Sequence, residues 1–377
     1  MRRLLFLVGG IVFVDTMFFV ALTPLLPDYA DEYDLSKAGV GVLAGAYPIG
    51  ALAGGIPAGL ATARFGARPT AIAGVLTIAF TTVVFATGDS IAVLDISRFA
   101  QGFGSAFAWT AGLTWLVGAT PAARRGQTIG LAMSAAIVGA LFGPVLGGVA
   151  SIVGQGAAFG AAALVAIALA IWALLTPAPP PARPQPLGVF IRALRNRHIL
   201  LGVWFVIVPA LLFGTMSVLA PLRLEELGFT AVAIGALWLF TAAVEATANP
   251  VVGRITDRVG RIRPMMVLAL ASAVAAAALP WPQSAAVLAA LVVAAGLTFG
   301  SFWTPAMALL SDEAEARGLE YAYAFALINI AWAPGQALGA AGGGALAQLT
   351  SDAVPYLALA AASLSTFAVL WRSESSS

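Results

Sequence analysis

Three charged side chains lie deep inside long apolar runs: Asp15, Arg98 and Glu245. A charge at the centre of a bilayer costs several kcal/mol unless it is paired or hydrated, so each is a candidate for chemistry. The chemistry open to them is proton carriage, counter-charge, or contact with a charged substrate. Asp95 is a fourth candidate, nearer the edge of its run. Asp15 precedes Pro27, which closes its run, and Arg98 follows Ser90, which opens its own. Counted from those two ends at about 1.5 Å per helical residue, the depths differ by about 6 Å, so the spacing predicts an Asp15–Arg98 pair. Protonation of Asp15 would release Arg98 and shift the balance between two states of the protein.

Glu245 belongs to a stripe. Trp238, Thr241, Glu245 and Asn249 fall on one helical face, and a polar stripe on an apolar helix is expected to line a wet cavity. Similar stripes are Phe325, Asn329, Trp332 and Gln336; Asp15, Phe19 and Leu22; and Arg98, Ser105 and Trp109, with Trp303 and Pro305 marking another segment. Together they predict a cavity of carboxylates, amides and aromatic walls. Aromatic faces attract cations, more strongly when desolvated, so lipophilic or cationic compounds are the expected ligands. Other chemistries find no support. The chain has no cysteine and a single histidine, His198, where a metal site needs several ligands in register. A phosphate-binding Gly-x-x-x-x-Gly-Lys-Ser/Thr loop is absent, so direct ATP hydrolysis is not expected. No cofactor is called for, and a formal charge of +2 gives no reason to expect nucleic acid.

The elements that must hold these residues are membrane helices. Of 377 residues, 60% are hydrophobic and 10% charged, with a mean hydropathy of +0.95. Soluble proteins carry about a quarter charged residues, so lipid is the solvent for most of this surface. Twelve apolar segments long enough to span a bilayer are expected near 4–27, 37–62, 69–88, 90–118, 126–150, 156–176, 199–222, 229–256, 264–281, 283–311, 319–348 and 353–371. Backbone in lipid must satisfy its own hydrogen bonds, and runs of this length exclude a barrel of short alternating strands. The opening Met1-Arg2-Arg3 and its apolar run read as a retained first helix rather than a cleaved leader.

Placing both termini in the cytoplasm puts 16 of the 19 basic residues on that side. Lys37 and Arg223 then lie outside with Asp28, Asp31, Glu32, Asp34, Glu225 and Glu226. The expected setting is an inner (plasma) membrane. A Pro-rich and then basic stretch, 177–198, reads as a cytoplasmic spacer between bundles 1–176 and 199–377.

The halves repeat. Gly59, Ala63, Arg64, Gly66 and Arg68 follow the second segment; Gly253, Asp257, Arg258, Gly260 and Arg261 follow the eighth, with Arg64 and Arg258 at matching places. Arg125-Gly126 and Arg317-Gly318 repeat with nearly the same offset. Internal repeats of this scale mark secondary transporters. Arg98-x-x-Gln101-Gly102-x-Gly104 lies in the fourth segment, and Gly139, Gly143, Pro144, Gly147 and Gly148 in the fifth. The glycines at i, i+4 and i+8 make a smooth face, repeated in the eleventh by Gly335, Gly339 and Gly343, and expected to be a close contact between halves.

In these four motifs, in this order, the whole chain resembles the major facilitator superfamily. The Gly-Pro element of the fifth segment resembles its drug:proton antiporter branch. The resemblance implies an all-α membrane protein of twelve helices in two pseudo-symmetric six-helix bundles, working as a monomer. It implies that Gly59, Arg64, Gly66, Gly253, Asp257, Arg258, Gly260 and Arg261 form gating loops, although Ala63 stands where the family usually has Asp. The expected function is proton-coupled multidrug efflux by alternating access, with Asp15, Arg98 and Glu245 carrying the coupling. The expected partners are a small-molecule substrate, protons and the lipid bilayer. A sugar or metabolite transporter of the same superfamily, coupled or not, is the rival; a membrane enzyme or receptor would need a soluble domain or a nucleophile constellation that the sequence does not show.

Overall fold

A computed structural model describes residues 2–121, 124–178, 187–319 and 321–375. Helix dominates, as apolar backbone without water requires. The first span is α1 (Arg2–Val20), a 3-10 turn at Thr23–Leu25 and α2 (Leu26–Glu32); Pro24 and Pro27 break what the sequence presents as one run. There follow α3 (Lys37–Phe65), α4 (Ala67–Thr87), α5 (Ile91–Gly118), α6 (Arg125–Val153) and α7 (Gln155–Leu174). The short α8 (Leu187–Ala193) lies in the basic part of the spacer, where no helix is expected from the sequence. The second half holds α9 (Arg197–Glu226), α10 (Ala231–Val259), α11 (Ile262–Ala278) and α12 (Ala285–Glu315). Its eleventh span is α13 (Tyr321–Ala337), a π-helical turn (Leu338–Gly342) and α14 (Gly343–Leu349); α15 (Ala353–Ser375) closes the fold. Among the described residues, nine helices are long and apolar enough to cross a membrane by length and composition. The fourth, ninth and eleventh spans of the twelve are completed by α5, the shorter α11 and the interrupted α13–α14.

The sequence repeat has a local cause. Gly66 (φ +92°) ends α3 and admits α4; Gly260 (φ +82°), its counterpart in the second half, does the same between α10 and α11. Positive φ is costly for any residue with a Cβ. Gly59 and Gly253, by contrast, lie within helices with open space where a Cβ would point, so they are not the turn residues.

The two halves meet near the end of the molecule that carries Lys37. Lys37 Nζ pairs with Asp352 at 2.6 Å, and its backbone N–H donates to Gln348 Oε1 at 3.2 Å. Gly41 of α3 lies on the carbonyl of Ala340 in the π turn, and Gly344 on that of Lys37. Gly235 of α10 is related to Gly41 by the same offset that relates Arg258 to Arg64, and it lies on the carbonyl of Pro144 in α6. Phe19 meets Trp332 edge-on at 5.3 Å. At the opposite end Asp257, Arg258 and Arg64 are exposed, and among the described residues none of the three forms an ion pair. The ion pairs found there among the described residues, Arg261–Asp312, Arg263–Glu374 and Arg317–Glu313, each lie within the second half.

The glycine stripes correct an expectation. Gly139, Gly143 and Gly147 face α1, against the carbonyls of Phe13, Met17 and Ala21. Gly335, Gly339 and Gly343 face α9 in the same way, through Ile207, Leu211 and Thr215. Both stripes pack within a half. Residues at i, i+4 and i+8 share one face, and that face is taken by the first helix of the same bundle. The contact between halves falls to the neighbouring face, through Pro144, Gly148 and Gly344.

Candidate functional site

On α5 the residues Arg98, Gln101, Ser105 and Trp109 recur every three to four positions and share a face. That face meets α1 at Asp15. Ser105 Oγ and Trp109 Nε1 donate to Asp15 Oδ2 at 2.8 and 2.6 Å, and Tyr47 Oη of α3 donates to Oδ1 at 2.8 Å. Asp15 is 2% exposed, and both its oxygens are occupied.

Arg98 does not pair with it. Its Nη1 donates to the Phe18 carbonyl at 3.1 Å and to Gln101 Oε1 at 2.6 Å, and its Nη2 to the Phe19 carbonyl at 3.1 Å. Gln101 in turn donates to Thr82 Oγ1 at 2.6 Å. The expected Asp15–Arg98 ion pair is therefore replaced by a bridge. The Tyr47 hydroxyl holds Asp15, while its ring lies under the guanidinium, 5.0 Å from centroid to Cζ. The two depths match, but the Tyr47 ring fills the space between the charges. Tyr47→Phe keeps the ring and deletes one donor to a buried carboxylate. The expected cost is about 1–3 kcal/mol, read as a lowered unfolding temperature in detergent; Tyr47→Ala should cost more by also uncovering Arg98.

Beside this centre is a cavity of about 310 Å³ between the halves. Phe19, Phe213, Trp238, Trp303 and Trp332 give it aromatic walls; Arg98, Glu245, Gln336 and several hydroxyls give it polarity. Phe19, Trp238, Trp303, Trp332 and Gln336, all singled out in the sequence, are among its lining residues. Trp109 and Asn329 are not among the lining residues, and Asp15 is set behind the wall. Phe325 has a side chain outside the described residues. The α9 contribution, Phe213, Met216 and Ser217, is not foreseen because that helix shows no polar stripe. Glu245 rests on Gly300, where any side chain would displace its carboxylate. Among the described residues its one hydrogen bond comes from Asn249 Nδ2 at 3.4 Å, and Asn249 Oδ1 accepts from Thr304 Oγ1 at 3.3 Å.

A sequence profile of the Major Facilitator Superfamily matches residues 7–319 and 241–377, which together take in nearly the whole chain. The chain belongs to the major facilitator superfamily. Superfamily relatives include an MFS-type transporter, ppzB, of Metarhizium rileyi, 33% identical over 134 residues, which are 34% of this chain and 28% of that protein. An uncharacterised MFS-type transporter, C18.02, of Schizosaccharomyces pombe is 28% identical over 138 residues, 34% of this chain and 31% of that one. The matches span about a third of those relatives. Among solved structures, a D-xylose–proton symporter superposes with a TM-score of 0.78 at 17% identity, covering 98% of this chain and 96% of that one. A bacterial homologue of the human lysosomal transporter Spinster, inward-facing and unoccupied, gives 0.75 at 15% identity, covering 98% and 94%. These likenesses show the fold. The chain is thus a multi-pass membrane protein of the superfamily.

The superfamily pattern in α5 acquires a physical reading. Arg98 and Gln101 are the hydrogen-bonded pair, Gly102 lets the backbone of α3 touch α5 at Tyr47, and Gly104 does the same for α4 at Gly74. The second half repeats the first contact: Gly296 packs on Thr241, and these two are the repeat counterparts of Gly102 and Tyr47.

Proposed function

We propose that this superfamily transporter exports small lipophilic or cationic compounds in exchange for protons, by alternating access. The observation that carries the reading is the cavity: mostly aromatic and apolar, at the interface of the halves, with the Glu245 carboxylate on its wall. A buried carboxylate and aromatic faces favour a cation without dictating its shape. Glu245 has a single hydrogen bond among the described residues, so it can exchange a proton for a substrate cation without dismantling a network. Asp15 is a second carrier; its three donors take three of about four lone-pair sites, and Oδ1, which accepts from Tyr47 alone, keeps one for a proton. Arg98 supplies the fixed positive charge between the two.

The Arg64 and Arg258 end is assigned to the cytoplasm, with both termini, in an inner (plasma) membrane, and the protein acts as a monomer. The Lys37–Asp352 end is then the closed outer gate, and this conformation faces inward. In the outward-facing state Arg64, Gly66, Asp257, Arg258 and Gly260 would close the inner gate, with Asp257 at the N-terminus of a neighbouring helix. The Gly139-to-Gly148 element of α6 supports the antiporter branch. For an uncharged substrate a proton crossing 100 mV supplies about 2.3 kcal/mol and a pH unit about 1.4, enough for roughly a hundredfold gradient; for a monovalent cation the one-for-one exchange is electroneutral, and the pH term alone gives about tenfold per unit.

The hydroxyls of Thr16, Thr23, Ser217 and Thr241 on the wall favour a second reading, a polar metabolite or sugar transporter, the activity named for the xylose–proton symporter. Adding aryl cations and, separately, sugars to proteoliposomes while following internal pH separates the two. Proton movement triggered by the cations supports efflux; movement triggered only by sugars favours the rival.

A further inference from the structure

The cavity carries two charges of opposite sign, and among the described residues neither is ion-paired. Arg98 of α5 is 3% exposed and lines it. Three of its five N–H groups are engaged, by two backbone carbonyls and the uncharged Gln101. Its Nε is buried without a hydrogen-bond partner among the described residues. A charged donor orphaned in the interior is costly, and the nearby carboxylate, Asp15, gives both its oxygens to Tyr47, Ser105 and Trp109. Across the interface Glu245 of α10 forms no ion pair among the described residues and accepts only from Asn249.

We propose that the substrate is a small amphiphilic zwitterion, its anionic group on Arg98, its ammonium on Glu245, and its apolar body among Phe19, Trp238 and Trp332. This deepens the efflux reading and rests on it. A carboxylate from the ligand beside Arg98 would supply the counter-charge that the guanidinium lacks among the described residues, taking the N–H that Nη2 still has in a charge-assisted hydrogen bond, the kind roughly twice as strong as a neutral one, while Nε stays buried. The two wall charges belong to different halves, so a ligand carrying both complements ties the halves together across the site. A cavity near 310 Å³ lies at the small end for ligand pockets and fits a single-ring compound.

A matched pair of probes tests this: phenethyltrimethylammonium, and N,N,N-trimethylphenylalanine, which is the same molecule with a carboxylate added. Binding to the purified transporter is followed by fluorescence of the tryptophans on the wall. The expected result is a Kd at least tenfold lower for the zwitterion. Arg98→Gln should bring the ratio of the two Kd values to about one, and Arg98→Lys should restore part of the preference. If the Arg98 variants fail to fold, the wild-type ratio alone decides. Equal or tighter binding of the plain cation overturns the zwitterion proposal and leaves the efflux reading standing. Failure of both probes to bind overturns both.

Discussion

Gly102→Ala is expected to destabilise the N-terminal bundle severely rather than merely slow transport. The added methyl would collide with the carbonyl oxygen of Tyr47, and Gly50, on the facing helix, sits just as tightly on the carbonyl of Phe99. Both obstacles are backbone, so no side chain can rotate away. α3 and α5 must separate, and Tyr47 moves with α3, losing its grip on Asp15 and its place under Arg98. Overpacking costs about 1–3 kcal/mol where the structure can give, and this contact sits at or above the top of that range. Thermal unfolding in detergent measures it. Gly55→Ala is the control: nothing lies within 4 Å of its Cβ position, and a helical Gly→Ala change of that kind should be neutral or stabilising by about 0.5–1 kcal/mol. Equal stability of the two variants would mean that α3 and α5 do not pack as described.

Gly41→Leu is expected to fold and to lose the closed Lys37 end. Its Cβ would lie 2.5 Å from the carbonyl oxygen of Ala340, which is in the other half. Unlike the collision at Gly102, this one is relieved by rocking the halves apart, a motion that alternating access already uses. The steric cost therefore becomes a conformational bias of roughly 2–3 kcal/mol, about a hundredfold in population. Gly235→Leu should act alike through Pro144, its pseudo-equivalent contact. Lys37→Ala should do far less, because the Lys37–Asp352 pair is partly exposed, with side chains 31% and 23% accessible, and such pairs contribute about 1 kcal/mol at most. The chain has no cysteine, so cysteine pairs introduced at both ends of the bundle can carry spin labels without background. Distances should lengthen at the Lys37 end and shorten at the Arg64 end in Gly41→Leu. Distances unchanged from wild type would remove the interdomain role of this glycine.

Helix existence, the two-bundle fold and much of the cavity wall are legible in the sequence because hydropathy and the 3.6-residue period report directly on lipid and on face. The legibility stops where azimuth between helices decides. Asp15 and Arg98 have matching depths, yet Tyr47, an aromatic residue in an apolar run, gives no sign that it stands between them. The glycine stripe of α6 announces a close contact, but the stripe is equally compatible with α1 and with the opposite half. Only the packing shows that the partner is α1, while the next residue, Gly148, faces Val232. The π turn at Leu338–Gly342 is hidden for another reason. It depends on tertiary satisfaction of a freed carbonyl, and the Thr215 hydroxyl donates to Gly339 O at 2.9 Å. Glu245 is visible as a charge; its seat on Gly300 is not, because a glycine on a different helix becomes its floor only after α10 and α12 pack.

Active accumulation in proteoliposomes tests the coupling role of Glu245 most directly. Wild type and Glu245→Gln are compared for uptake of an aryl cation against its gradient under an imposed pH difference, and for exchange of the same compound with no pH difference. The predicted result is that Glu245→Gln loses at least tenfold of the pH-driven accumulation while exchange persists at raised substrate concentration, because the aromatic walls and the rocking contacts remain while the proton site, which is also the counter-charge of the cation, is gone. Accumulation by Glu245→Gln at the wild-type level would contradict the assignment and leave Glu245 as a structural acid.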